Sequence, residues 1–299
     1  MDTHGAQMPS LRSLAGAITA HRHGLHRLIV WFLAMTSISV MAASGPPTDL
    51  KSDRACCNLV ELRQYTLRLG QRDTLIELFD REFVEPQEAL GIAVIGQFRD
   101  LDRPDRFVWL RGFESSTARE QALAAFYDGP VWHAHREAAN ATMIDSDNVL
   151  LLEPANADTG FAGLPTRTSP GATASAGSDI VVATLYYAQP DSLEAFTALF
   201  NQSIRKDLER AGARTIAEYV TSTQMNNFSR LPIRLGEHVF VWLAGFESDQ
   251  NYDVYRARLA ADRAWMSRDW PSAREQLISE PEVLRLAPTA RSRLRGGAR

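Results

Sequence analysis

The sequence predicts an α+β protein, with two tandem β-α-β-β-α-β modules packing sheet to sheet as an intramolecular barrel behind an apolar leader. Three observations predict it. Arg106-Phe-Val-Trp-Leu-Arg-Gly-Phe-Glu-Ser115 recurs as Val239-Phe-Val-Trp-Leu-Ala-Gly-Phe-Glu-Ser248. Segments of strand period and helix period follow each other in one repeated order. A stretch rich in Gly, Ala, Ser, Thr and Pro, residues 155–178, separates the two copies and reads as a flexible linker.

The repeat sets the domain boundaries at 57–154 and 179–288. At one offset of 133, Trp109 pairs with Trp242, Phe113 with Phe246 and Trp132 with Trp265. Upstream the offset falls to about 121, where Phe79 meets Phe200 and Gly91 meets Gly212. The second copy therefore carries an insertion of about twelve residues, placed at 221–236 and read as a loop.

Within the first copy, Leu59–Leu67 alternates as a strand. Asp73 is expected to cap a helix with apolar positions Leu75, Leu78, Phe79 and Phe83, with Pro86 disturbing its end and Gly91 at C′. A second strand runs Gly91–Phe98 with Ile92, Val94 and Phe98 on one face, and a third runs Phe107–Phe113. Ser115-Ser116-Thr117 with Glu120 starts the second helix. Gly129-Pro130 interrupts it, Val131–Met143 resumes it, and Val149–Leu152 closes the module. That order is the ferredoxin-like arrangement. One sheet face needs helices; the other, holding Tyr65, Trp109 and Phe113, is too apolar for water and is expected to face the second sheet inside the barrel.

Of 299 residues, 45% are hydrophobic and 23% charged, an ordinary globular balance. A formal charge of −4 gives no footprint for nucleic acid. The tail 289–299, with Arg291, Arg293, Arg295 and Arg299, is expected to be frayed and solvated. Cys56 and Cys57 are too few for a zinc site and close no useful loop, so they read as two thiols, with a vicinal disulfide as the alternative. Residues 1–43 read as a signal peptide, with an apolar run at 28–43 behind basic residues and Val40-Met41-Ala42 suiting cleavage. The expectation is a secreted or periplasmic protein. An uncleaved N-terminal membrane anchor, or a cytoplasmic protein whose true start is Met35 or Met41, are the alternatives.

Glu61-Leu-Arg-Gln-Tyr-Thr-Leu67, Phe107-Val-Trp-Leu-Arg-Gly-Phe-Glu-Ser115 and Asp128-Gly-Pro-Val-Trp132 resemble the NIPSNAP family. The first matches its opening E-L-R-x-Y-x-L strand and the last its D-P-x-W helix signature, with Gly129 inserted. The second copy lacks E-L-R. The resemblance implies a fold of the dimeric α/β-barrel group, which includes monooxygenases, haem enzymes and lyases. It implies no settled reaction, since the family's members mostly lack an established one and some serve interaction or trafficking.

Alternation places Glu61, Arg63, Tyr65, Trp109 and Arg111 on one face, expected to line the barrel lumen as a ligand site. Two arginines can grip a carboxylate, and the plainer reading is an internal Glu–Arg network. By alignment, Glu61, Arg63, Tyr65 and Arg111 become Ala183, Leu185, Tyr187 and Ala244 in the second copy. His135 is the candidate for proton transfer or, by loose analogy, for ligating haem; otherwise no cofactor is expected, and no metal site. Phosphate-loop, nucleophile-elbow and H-E-x-x-H motifs are missing. The expected function is a binding or interaction protein with a small-molecule or protein partner, as a monomer or homodimer. The alternative is a small-molecule enzyme of monooxygenase, lyase or haem type acting in the lumen.

Overall fold

The computed structural model describes residues 56–169 and 177–297. The leader lies outside them. Among the described residues no helix is long and apolar enough to cross a membrane.

Strand β1 spans Leu59–Leu67, where β-branched and aromatic residues are few but every side chain except Thr66 is buried. Helix α1, Arg72–Leu78, passes through a wide π turn at Phe79–Phe83 into α2, Val84–Ala89. Asp73 does not cap it. The N-cap is Gln71 without a side-chain bond, and Asp73 lies in the first turn, held by Arg99 Nε at 2.8 Å. Pro86 does not end the helix either. The π turn shifts the register just before it, and the second half makes the same turn at Phe200–Ile204 without a proline, so the turn belongs to the fold. Gly91 takes φ +83 at C′, as expected.

Strand β2 is Ala93–Asp100 and β3 is Arg106–Phe113. A bulge between Val94 and Gly96 breaks the alternation of β2. Val94 consequently packs under the helices and Phe98 inside the barrel, not on one face. Helix α3, Ser116–Tyr127, is capped by Ser115 Oγ, which accepts from Ala118 N. Helix α4, Pro130–Ala141, follows with proline at its first turn, and β4 is Met143–Pro154. The second half repeats this order through β5 (Ile180–Tyr187), α5 (Leu193–Leu199), α6 (Arg205–Ala211), β6 (Arg214–Thr221), β7 (Val239–Phe246), α7 (Asp249–Ala261), α8 (Trp270–Arg274) and β8 (Glu282–Pro288).

The eight strands close as an antiparallel barrel in the order β1-β3-β2-β8-β5-β7-β6-β4. Each half keeps the ferredoxin-like order, and two short seams join them. β2 meets β8 at Phe98–Asp100, and β4 meets β6 at Leu152–Pro154. Loops extend the seams. Thr289 N and Leu294 N donate to Gln97 O and Ile95 O, while Ser222 N and Arg234 N donate to Leu151 O and Val149 O. The open stretches of edge strand are thus paired rather than left to solvent.

Two expectations fail at this seam. The described part of the tail, to residue 297, is not frayed: Arg291 pairs with Glu85, Arg293 approaches Glu88, and Leu294 is buried at the barrel end. The described part of 155–178 is not a free linker. Phe161 is 2% exposed, and the Arg167 guanidinium pairs with Glu88 at 2.7 Å. Cys56 and Cys57 form a disulfide instead of two thiols. Cys57 fills the space above Gly112, where a Cβ would stand 2.2 Å from its Sγ.

The lumen holds Val60, Leu62, Val108, Leu110, Leu150 and Leu152 from the first half, meeting Val181, Ala183, Leu185, Val241, Leu243 and Leu284 from the second. It is a packed, mostly aliphatic core, with Phe98, Phe161 and Tyr219 among its members. The opposite face of the first sheet, with Tyr65, Phe107 and Trp109, is covered by Leu75, Phe79 and Phe83 of the first helical layer and Phe126 of α3. The sequence expectation had these faces exchanged. An eight-stranded barrel is just wide enough for side chains to fill it, so the smaller aliphatic face goes inside. The bulkier face, rich in Arg and aromatic groups, goes under the helices.

Candidate site beneath the helices of the first module

The antiparallel register of β1 and β3 sets Glu61 opposite Arg111, Arg63 opposite Trp109 and Tyr65 opposite Phe107. All five predicted ligand-site residues therefore do meet, but between sheet and helices rather than in the lumen. Glu61 is the centre. Its Oε2 accepts from Arg63 Nη1 at 2.6 Å and Arg111 Nε at 2.7 Å, and its Oε1 accepts from Arg119 Nε at 2.7 Å. Arg63 and Arg111 also lie over the Trp109 ring, at 5.7 and 5.1 Å from its centroid. Such stacking suits guanidinium groups withdrawn from water.

All four ionic side chains are essentially inaccessible. Burial pushes the Glu61 carboxyl upward, yet the charges of Arg111, Arg63 and Arg119 outweigh it and hold the group far below the usual carboxylate range. Burial lowers the Arg119 pKa. It raises that of Tyr65, against the pull of Arg63. One carboxylate among three guanidiniums leaves an excess of positive charge in a poorly screened place. Among the described residues, Arg111 Nη2, Arg119 Nη2 and Trp109 Nε1 have no hydrogen-bond partner.

The sequence reading missed Arg119 and Gln87. Arg119 occupies the head of the buried stripe Arg119, Ala122, Leu123, Phe126 on α3, the i, i+3, i+4, i+7 pattern of a core face. An arginine in that pattern was the available signal. Gln87 accepts from Arg111 Nη1 at 3.3 Å and donates to Phe83 O at 3.0 Å. The insertion, beginning where β6 ends, also reaches the cluster. Asn227 Oδ1 accepts from Arg119 Nη1 at 2.6 Å, and its Nδ2 donates to Ser116 O at 2.7 Å.

Beside the cluster lies a cavity in two parts. An inner recess of about 30 Å³ is walled by residues that include Tyr65, Phe79, Phe83, Gln87, Trp109 and Phe126. An outer vestibule of about 280 Å³ adds Asn140, Ser146, Arg230 and Leu231. Tyr65, Tyr127, Trp132 and Met143 line both parts. Tyr65 also ties cavity to cluster, because its hydroxyl accepts from Arg63 Nε at 2.9 Å. A larger cleft of about 650 Å³ on the second half is lined by exposed groups such as Asp191, and holds no buried ionic network.

His135 is not part of this arrangement. It stands on α4 with Nε2 3.4 Å from Glu82 Oε2, behind Phe83, and lines neither part of the cavity. An axial haem ligand must face the space the haem fills, so these residues do not fit haem. Among the described residues no three His, Cys, Asp or Glu groups could hold a metal ion. Among the described residues, the second half has no counterpart of the ionic cluster. The strand registers match Glu61, Arg63 and Tyr65 with Val182, Thr184 and Tyr186, one residue from the alignment expected above. That slip matters because it exchanges faces: Ala183 and Leu185 lie in the lumen. At Arg119 the second half has Tyr252, also buried.

No curated protein matches the sequence. A solved NIPSNAP family protein from Agrobacterium tumefaciens str. C58 is 21% identical, covering 38% of this chain and 88% of its own at a TM-score of 0.30. A NIPSNAP-like domain protein from Burkholderia xenovorans is 18% identical, with coverage of 38% and 88% and a TM-score of 0.31. A candidate monooxygenase from Lactobacillus acidophilus NCFM is 11% identical, covering 78% and 96%, at 0.47. The family model described as NIPSNAP matches residues 60–157, the stretch that carries Glu61, Arg63, Tyr65, Trp109, Arg111 and Arg119. This part of the chain is a NIPSNAP domain.

Proposed function

We propose that the protein is a binding protein, and that its NIPSNAP domain takes a small, flat, mostly apolar molecule into the cavity beneath the helices. The carrying observation is Tyr65. Its oxygen already accepts from Arg63 Nε, so its own proton is free for an acceptor on a molecule held between Trp132, Tyr127 and Phe83. Trp109 Nε1, buried and unpartnered on the same wall, is a second donor. Apolar walls with a few placed polar groups are the usual make-up of a small-molecule site.

Binding is favoured over turnover by the charge states of the cluster. A general acid or base works best with a pKa near the working pH. Glu61 is held well below that and Tyr65 is pushed above it. His135 turns away toward Glu82.

Ligand-observed NMR with a set of aromatic alcohols, ketones and acids tests the reading. Members carrying an acceptor should bind, Trp132→Leu should abolish the signal, and Tyr65→Phe should weaken binding about two- to tenfold, the worth of one neutral hydrogen bond. If the wild type and Trp132→Leu cannot be told apart by any compound, the site is elsewhere.

A further inference from the structure

The vestibule is completed by the second half of the chain. Arg230 and Leu231 of the insertion form part of its wall, and the insertion is fastened there by Asn227 on Arg119 and Ser116 and by Phe228 packed on Tyr127 at 5.9 Å. Arg230 is the sole charged side chain among the residues lining the two parts of the cavity, and none of them is acidic. Behind the inner wall stands the cluster in which three guanidiniums share one carboxylate. The floor is therefore electropositive, and the mouth holds a guanidinium whose charge is balanced only by the exposed carboxylate of Asp128, so an anion is favoured over a cation.

We infer that the ligand is an aromatic or similarly flat acid, whose ring lies in the vestibule against Tyr127 and Trp132 and whose carboxylate or sulfonate is held at the mouth by Arg230. This rests on the pocket reading above and adds the charge class of the ligand and the residue that selects it. Arg230 is available for the role. Its present partner is Asp128, with Nη1 to Oδ1 at 2.7 Å, and both side chains are more than half exposed. Exposed pairs of this kind hold their partners weakly, so an incoming anion can share or replace Asp128. A guanidinium offers that anion two parallel donors. The insertion then explains a feature the first module cannot supply by itself, a cationic gatepost over an otherwise aromatic vestibule.

Isothermal titration of the full chain with naphthalene-2-carboxylate and naphthalene-2-methanol separates the outcomes. The two probes share a ring and differ in charge. The carboxylate is expected to bind about tenfold more tightly at low salt, with the preference shrinking as salt is added. Arg230→Gln should remove that preference while changing the alcohol's affinity less than about twofold. Asp128→Asn, by freeing Arg230, should enlarge it. Both sites are exposed, so neither change threatens the fold. A carboxylate preference that survives Arg230→Gln would overturn the inference and leave the pocket reading intact. If neither probe binds the wild type, the pocket reading falls and takes this inference with it.

Discussion

Arg119 Nε reaches Glu61 Oε1 at 2.7 Å across the boundary between helix and sheet, although 58 residues separate them in the chain. This contact locks α3 onto β1 through a charge pair that water does not reach. Its partner groups decide how the first module responds to mutation and to acid.

Glu61→Gln would leave three buried guanidiniums without an anion. Removing one partner from a buried ionic network costs about 3–5 kcal/mol, so urea denaturation should show a loss of that size. The pH dependence follows from the same group. Its folded pKa is depressed, so its stabilisation is full above the ordinary carboxylate range and is lost as pH falls below it. Acid unfolding should therefore be shallower in Glu61→Gln than in the wild type. An equal slope would show that Glu61 is not the group that titrates.

Asp80 should behave in the opposite sense. Burial pushes its carboxyl up to about 6, against Arg291, Arg167 and Arg99. A raised folded pKa favours the protonated form, so its stabilisation is full below the unfolded value of 3.8 and is lost as pH rises through about 6. Asp80→Asn, which keeps the neutral shape, should remove that decline. Melting temperatures measured between pH 4 and 7.5 would show two curves that diverge upward. Parallel curves would count against it.

Asn227 links the insertion to the cluster by three bonds, one from Arg119 and two to Ser116. Asn227→Ala should destabilise by about 1–3 kcal/mol, because it weakens the coordination of a buried guanidinium. Limited proteolysis should also become faster at 222–236. A variant as stable and as resistant as the wild type would mean that the insertion merely rests on the module.

Gly112 faces Cys57 so closely that Gly112→Ala would place Cβ 2.2 Å from the sulfur. Overpacking of this kind typically costs about 1–3 kcal/mol. Thermal denaturation should register it. Gly91→Ala, by contrast, meets nothing within 4 Å and should act only through its positive φ.

Much of the architecture was legible in the chain itself. The alternation of Leu59–Leu67, the Ser115 cap, the break at Gly129-Pro130 and Gly91 at C′ are set by local sterics and backbone bonding, and local signals reveal them. Membership of Glu61, Arg63, Tyr65, Trp109 and Arg111 in one cluster was legible too, because period two puts alternate residues on one side and pairing joins the strands. Arg119 was visible in principle as an arginine in a helical core stripe. Asn227 and Arg230 were not, since nothing local ties a loop of the second half to a helix of the first.

The sequence by itself determined which residues share a face, the order of the elements and the resemblance of the first module to the NIPSNAP family. Only the tertiary structure decided which face turned inward. Both sides of a helix-wrapped barrel are dry, so hydrophobicity cannot choose between them; volume does, and volume is a property of the closed ring. The lumen took Val60, Leu62, Val108 and Leu110, and the helices took the arginines and aromatic rings with the cavity beside them.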